Sequence, residues 1–275
     1  MDHSGPDAEG AAAAPAISRD QVLVAAGQDA AESLARIADL GVGAEVQTFA
    51  RPGAPGQGEP LDGAISALIP LLAGVRGPIG YHGPFIDTVH YSQDADVQAI
   101  ARQRYAAALD AAARLGAGFV IFHSQYNPLI RVRHYPRLYH ERSLEFWPRL
   151  VAHAESLSIT IYLENMFEDS PEPLLRLVEA VDSPRLRICG DIAHMALFSS
   201  TPPREWVRAW GPRLGHVHLN DTLGAYDDHL PLGEGNLDIQ AFLQACAELP
   251  HPLTYTLENS TLSGAEASLA YLRLR

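Results

Sequence analysis

"SITIYLENMFEDSPEPLLRLVEAVDSPRLRICGDIAH", residues 158–194, holds two short apolar runs, SITIYLE (158–164) and LRICGD (186–191), on either side of PEPLLRLVEAV, whose apolar residues recur at helical spacing. Strand, helix and strand within so short a stretch imply two parallel strands joined by a crossover. The same alternation runs outward in both directions. Candidate strands lie at QVLVAA (21–26), GAEVQTF (43–49), GPIGYH (77–82), GFVIFH (118–123), GHVHLN (215–220) and LTYTLE (253–258). Helical patterns such as DAAESLARIADLG, ADVQAIARQRYAAALDAAARLG, LEFWPRLVAHAESL, PREWVRAWG and DIQAFLQACAEL occupy the gaps. Eight strand-helix units in 275 residues are the size of one closed (β/α)8 barrel, a single α/β TIM barrel. The competing fold is an open doubly wound sheet, but no glycine-rich fingerprint follows an early strand.

The strand ends favour the closed form. His82, His123, Glu164, Asp191, His218 and Glu258 fall at or near the C-terminal ends of six successive strands, the rim on which a barrel collects its reactive groups. Alternation fixes the facing: Thr160, Tyr162 and Glu164 share one side and Ile161 and Leu163 the other, as do Thr254, Thr256 and Glu258 against Tyr255 and Leu257. The polar set is expected inside the barrel and the apolar set against the helices.

A lone histidine in a strand is usually a hydrogen-bonded core residue, and a lone glutamate at a strand end is usually solvated. Six in succession are a constellation. Two local spacings add to it: Asp191 and His194 at i, i+3, and Asp227 with His229, whose side chains point the same way in an extended loop. Glu164, Asp191, Asp227 and Glu258 would crowd four carboxylates into one pocket, a repulsion that divalent cations relieve. Five histidines, His82, His123, His194, His218 and His229, make the set rich in nitrogen and suit zinc, manganese, iron or cobalt better than magnesium or calcium.

Composition narrows the chemistry further. The formal net charge is -13 and all 20 basic residues are arginine. A chain without lysine has no Schiff-base lysine, no pyridoxal phosphate attachment and no Walker-type phosphate loop. The acidic balance weighs against a nucleic-acid partner, although a locally positive groove can exist on an acidic protein. No apolar run is long enough to span a membrane, and residues 1–18 read as a disordered tail without a signal peptide, ahead of a barrel over 19–275, which places the protein in the cytoplasm. Cys189 and Cys246 read as packing residues, as do Trp147, Trp206 and Trp210. The segment NPLIRVRHYPRLYHERSLEFW (127–147) reads as a lid whose Arg131, Arg133 and Arg142, with Asn165 nearby in sequence to Glu164, contact the substrate. Glu168 reads as a partner for a ligating histidine, and Gly233 and Gly235 as a tight turn aiming Asp227 and His229.

The strand-end motifs YHGPF, IFHSQYN, IYLEN, GDIAH, HVHLND, DDHLPLGEGN and TLENS together resemble the xylose-isomerase-like barrel superfamily, from about residue 20 to the C-terminus. That superfamily joins sugar isomerases and epimerases to zinc-dependent apurinic endonucleases. The resemblance to the sugar branch implies one metal on Glu164, Asp191, His218 and Glu258. It also implies proton transfer by the two glutamates next to a substrate carbonyl, and His194 on substrate hydroxyls. The resemblance to the endonuclease branch implies three zinc ions on His82, His123, Glu164, Asp191, His194, His218, Asp227, His229 and Glu258, acting on a phosphodiester. The loops read closer to the sugar branch, as a sugar (phosphate) isomerase or epimerase acting on a small polyhydroxylated substrate. The pair Asp227 and His229 is a departure, since ketose epimerases carry an arginine there. A barrel that binds metal or sugar without turnover is a further alternative.

Overall fold

A computed structural model of the chain describes residues 17–27, 29–50 and 61–274. Eight parallel strands close into a barrel in sequence order: β1 (Val22–Ala26), β2 (Gly43–Val46), β3 (Ile79–His82), β4 (Phe119–His123), β5 (Thr160–Glu164), β6 (Leu186–Asp191), β7 (Leu214–Leu219) and β8 (Thr254–Leu257). Each expected strand is present, with ends that differ by a few residues at most. Helices α1 (Ala30–Leu40), α2 (Leu61–Leu72), α3 (Ala95–Leu115), α4 (Tyr135–Ser156), α5 (Glu172–Val181), α6 (Ile192–Phe198), α7 (Pro203–Trp210), α8 (Ile239–Ala247) and α9 (Leu262–Tyr271) are the described helices of the outer layer. No described helix is long and apolar enough to cross a membrane.

Two cores follow from the strand pleat. Ile161, Leu163, Tyr255 and Leu257 pack outward with Trp147, Trp206 and Trp210 in the layer between sheet and helices. The opposite faces of β5 and β8 point inward, as the alternation predicts. The interior is nevertheless not polar throughout: Leu23, Phe119, Ile121, Cys189 and Tyr162 form an apolar plug inside the barrel. Gly80 leaves the space that the Phe119 ring fills, since a Cβ there would overlap it. Above this plug, toward the strand C-termini, lie the ionisable groups.

The expected tail falls largely on residues outside those described. Within it, Ile17 packs against the core, and Ser18 begins a 3-10 turn at Arg19–Gln21, its hydroxyl donating to the Gln21 side chain (2.8 Å).

Candidate metal centre

Parallel register brings the strand-end groups level. His123 pairs with Glu164 across β4 and β5, and Asp191 with His218 across β6 and β7. Glu164 is the hub. Its Oε2 lies 3.3 Å from Nε2 of both His82 and His123, and its Oε1 lies 3.2 Å from His218 Nδ1 and 3.4 Å from His194 Nδ1. His218 Nδ1 also lies 2.9 Å from Glu258 Oε2. Two of the three groups whose ligand atoms lie mutually within 4.8 Å share this hub, His82, His123 and Glu164, and Glu164, Asp191, His218 and Glu258. A third gathering sits nearer the solvent, where Asp227 Oδ2 is 3.2 Å from His194 Nε2 and 3.0 Å from His229 Nε2. All nine sequence-predicted ligands thus meet at one end of the barrel.

Hydrogen bonds to the backbone aim the imidazoles. Nδ1–H of His82 donates to the Gly83 carbonyl (2.9 Å), that of His194 to Asn165 (2.9 Å) and that of His229 to Glu258 (2.7 Å). With Nδ1 committed as donor, each ring in its neutral form turns its Nε2 lone pair onto a carboxylate oxygen, an arrangement that a cation or a proton between them relieves. The Oε2 atom of Glu164 is buried without a hydrogen-bond partner, as is Asp227 Oδ1. An orphaned carboxylate oxygen between two imidazole nitrogens is the expected signature of a metal cage, and a nitrogen-oxygen donor set fits zinc, manganese, iron or cobalt.

The electrostatics are those of a crowded carboxylate site. Burial opposes charge on Glu164, but His218 and His123 outweigh it and hold its carboxyl well below the usual range. Asp191 is pushed up to about 6, by burial first and then by Glu164 and Asp227 against the pull of His194. Burial disfavours the charged form of His194 and His218, yet the surrounding carboxylates raise both well above the ordinary histidine value. His229, despite burial, is raised to about 10 by Asp227 and Glu258.

Loop chemistry holds the set in place. Asp191 ends β6 and caps α6, its Oδ1 accepting from His194 N (2.7 Å) and its Oδ2 from Asn220 Nδ2 (3.0 Å). After β7, Asp221 accepts from the backbone N–H of Thr222, Gly233 and Leu237, tying the loop into a knot. Asp228 turns away to accept from Thr222 and Leu223, leaving Asp227 to face the cluster. His229 has φ 51°, so this loop is not extended as expected; the left-handed residue itself swings the ring back onto Asp227. Gly233 has φ 85° and supplies the turn, whereas Gly235 serves by absence of a side chain, because a Cβ there would overlap the Asp221 carboxylate.

The expected substrate contacts are placed differently. Asn165 is buried and commits its amide to Asp191, accepting from its N–H (2.8 Å) and donating to its carbonyl (3.2 Å). Arg142 lies on α4 and pairs with Glu145 (3.2 Å), while Arg131 and Arg133 are exposed. Among the described residues, no arginine is hydrogen-bonded or ion-paired to any of the nine cluster residues. The loop after β4 is shorter than the expected lid, because α4 begins at Tyr135 with Pro136 in its first turn. Tyr126, Tyr135 and Tyr139 form a buried aromatic cluster under it, with Tyr139 Oη donating to the Ser124 carbonyl (2.8 Å). Glu168 is buried and receives Ser124 Oγ–H and Met166 N–H, bracing that loop against the next rather than bonding a ligating histidine.

Glu45 is the site residue that strand-end chemistry misses. It is fully buried on β2 and its Oε2 accepts from His218 Nε2 (3.2 Å). Its neighbour Gln47 donates to both Glu45 Oε1 (2.9 Å) and Glu258 Oε1 (2.7 Å). Alternation within GAEVQTF puts Glu45 and Gln47 on one face, the same signal that marks β5 and β8.

Fold and site together define a class, a closed (β/α)8 barrel with a multi-ligand centre at its C-terminal mouth. The family described as xylose isomerase-like TIM barrel matches residues 35–274, and the chain belongs to it. The TTHB071 protein from Thermus thermophilus, in a structure soaked with ZnCl2, is 33% identical, with 92% of this chain and 96% of that one covered at a TM-score of 0.76. A D-tagatose 3-epimerase-like protein is 25% identical, again with 92% and 96% covered and a TM-score of 0.76. The uncharacterized protein MJ1311 of Methanocaldococcus jannaschii is 28% identical over 218 residues, 76% of this chain and 73% of that protein. Sugar epimerases recur among further structures at 16 to 18% identity, a likeness of fold.

Proposed function

We propose that the protein is a divalent-metal-dependent isomerase or epimerase that moves a proton next to the carbonyl of a small polyhydroxylated substrate. The observation that carries this reading is the convergence of Glu164, Asp191, His218 and Glu258, with ligand atoms within 4.8 Å of one another, at the mouth of the barrel. The similarity at 25% identity to a D-tagatose 3-epimerase-like protein supports the substrate class. A metal held by Glu164, Asp191, His218 and Glu258 would supply Lewis acidity toward the carbonyl of a hydroxy-ketone, which would acidify the adjacent C–H.

The chain's own residues do the rest. Glu164 and Glu258 reach the same His218 nitrogen from β5 and β8, strands far apart around the barrel, so their carboxylates flank the space between them. One carboxylate removes a proton from the substrate carbon and the other returns it on the opposite face. Burial and His218 set the character of Glu258: burial disfavours its charge, the imidazole restores it, and its carboxyl is held below the ordinary value, ready to accept. His194 and Asp227, nearer the opening, bind substrate hydroxyls.

The test is solvent deuterium incorporation at a sugar carbon by the metal-loaded protein, across ketoses and their phosphates. Exchange that disappears in Glu258→Gln with the fold retained is the expected result. Exchange that persists in that variant would remove the role given to Glu258. A second reading is favoured by the other two clusters, His82 with His123 and His194 with Asp227 and His229, which one metal leaves unused. It is a three-zinc phosphodiesterase, and close to three zinc ions per chain together with nicking of abasic duplex DNA would replace the first reading by it. Tight metal or sugar binding with neither activity would make the barrel a binding protein.

A further inference from the structure

Beneath the cluster, a closed hydrogen-bonded layer crosses the barrel interior from β8 through β7 to β2. Its directions can be assigned from one end. Thr256 Oγ–H must donate to Glu45 Oε2 (2.6 Å), a carboxylate that has no proton to give, and its hydroxyl therefore accepts from His216 Nε2–H (3.0 Å). His216 Nδ1 is then left to accept from Thr254 Oγ–H (2.7 Å). His218 Nε2 reaches the same Glu45 oxygen at 3.2 Å and can only donate. Gln47 closes the layer by donating to Glu45 and to Glu258.

We infer that Glu45 is a positioning residue for the metal centre: it fixes His218 as the Nε2–H tautomer and so presents the Nδ1 lone pair to the space shared by Glu164, Asp191 and Glu258. The inference rests on the proposed metal at that group and adds the carboxylate that orients its imidazole, on a strand that contributes none of the predicted ligands. Orientation matters because His218 has two nitrogens and both face carboxylates; without Glu45 the ring has no fixed choice between them. Gln47 extends the same control to Glu258, holding Oε1 aside while Oε2 faces His218.

Cys189, His216 and His218 also lie close enough together to hold an ion. The hydrogen bonding argues against that use. Both nitrogens of His216 have partners and Nε2 of His218 is committed to Glu45, while the unpaired buried polar atoms among the described residues at this end of the barrel, Glu164 Oε2, Asn220 Oδ1 and Asp227 Oδ1, lie above that layer. The lower layer is a support, and the unpaired carboxylate oxygens that suit a cation lie in the upper one.

The experiment compares wild type with Glu45→Gln, which keeps the shape and removes the charge, in zinc competition against a chromophoric chelator and in proton spectra of the cobalt-substituted protein. Loss of such an orienting carboxylate weakens metal binding about 10- to 100-fold. In the cobalt spectra, the exchangeable His218 Nε2–H resonance should move and exchange faster with solvent. The affinity loss should vanish in a His218→Ala background, a coupling that a general weakening of the barrel would not produce. If Glu45→Gln does not fold, Glu45→Asp keeps the charge, draws it back by one methylene, and should shift the same resonance. Equal affinity and an unmoved resonance in the folded variant overturn the inference while leaving the proposed metal in place. A wild-type chain that takes up no metal overturns both, and a second equivalent lost in Cys189→Ser assigns the lower layer to an ion and overturns this one alone.

Discussion

At the scale of single residues, the site is governed by which nitrogen or oxygen is already committed to a partner. His82, His194 and His229 are all fixed through Nδ1 to backbone carbonyls, and each delivers Nε2; His218 is fixed the other way round. Glu168 behaves differently, since it bonds no member of the cluster. Burial pushes its carboxyl up to about 7 from the ordinary 4.5, with Ser124 and Met166 opposing. A folded value above the unfolded one means the native state holds the proton more tightly. The contribution to stability is full below about 4.5 and is lost as pH rises through about 7, by on the order of 3 kcal/mol. Glu168→Gln cannot ionise, so denaturation in the presence of a chelator should find it less stable than wild type at pH 5 relative to pH 8.5. Parallel pH dependences for the two proteins would contradict the buried, protonated Glu168.

At the scale of elements, the strands are legible in the sequence and the connections less so. Alternation and strand-end chemistry place eight strands and six of the nine cluster residues, because period-2 patterning records which face is buried wherever one face is polar, whereas His194, Asp227 and His229 rest on local spacing and on the family resemblance. Glu45 escapes that reading because β2 ends in no histidine or carboxylate, although its alternation with Gln47 carries the same message. The arginines and aromatics of 127–147 suggest a pocket wall, while Pro136, a residue suited to a first helical turn, marks the start of α4. Asn165 misleads because its neighbour is a cluster residue. A side chain one step along the strand points to the other face, and its amide joins β5 to β6 instead. Asn165→Ala should therefore act on folding more than on substrate binding. It strips both buried backbone partners from Asp191, at a cost of about 2–3 kcal/mol. Denaturant titration and Michaelis constants on the same variant check this, and a raised KM with unchanged stability would return Asn165 to the substrate.

At the scale of the whole molecule, the barrel closes around a group of carboxylates and imidazoles that no apolar core can stabilise, in a chain whose net charge is already -13. Without the proposed cation, protons are the available substitute. His194 and His218 are raised well above the ordinary value and His229 to about 10, each by facing carboxylates against the effect of burial. A histidine whose folded value is raised contributes stability that is full below its unfolded value, near 6.5, and is lost as pH climbs through the folded one. The metal-free barrel is therefore steadied by imidazolium at pH 6 and progressively loses that support toward pH 10. The metal-bound barrel gains over the same range, because binding no longer has to displace protons. At a free-metal concentration about 1,000 times Kd, binding contributes about 4 kcal/mol. Melting curves with zinc and with chelator should thus lie close together at pH 6 and separate as pH rises to 9, the zinc form melting higher. Curves that coincide at both pH values would mean that protons alone serve this cluster, and the three gatherings of carboxylate and imidazole would have to be explained as a proton-sharing network.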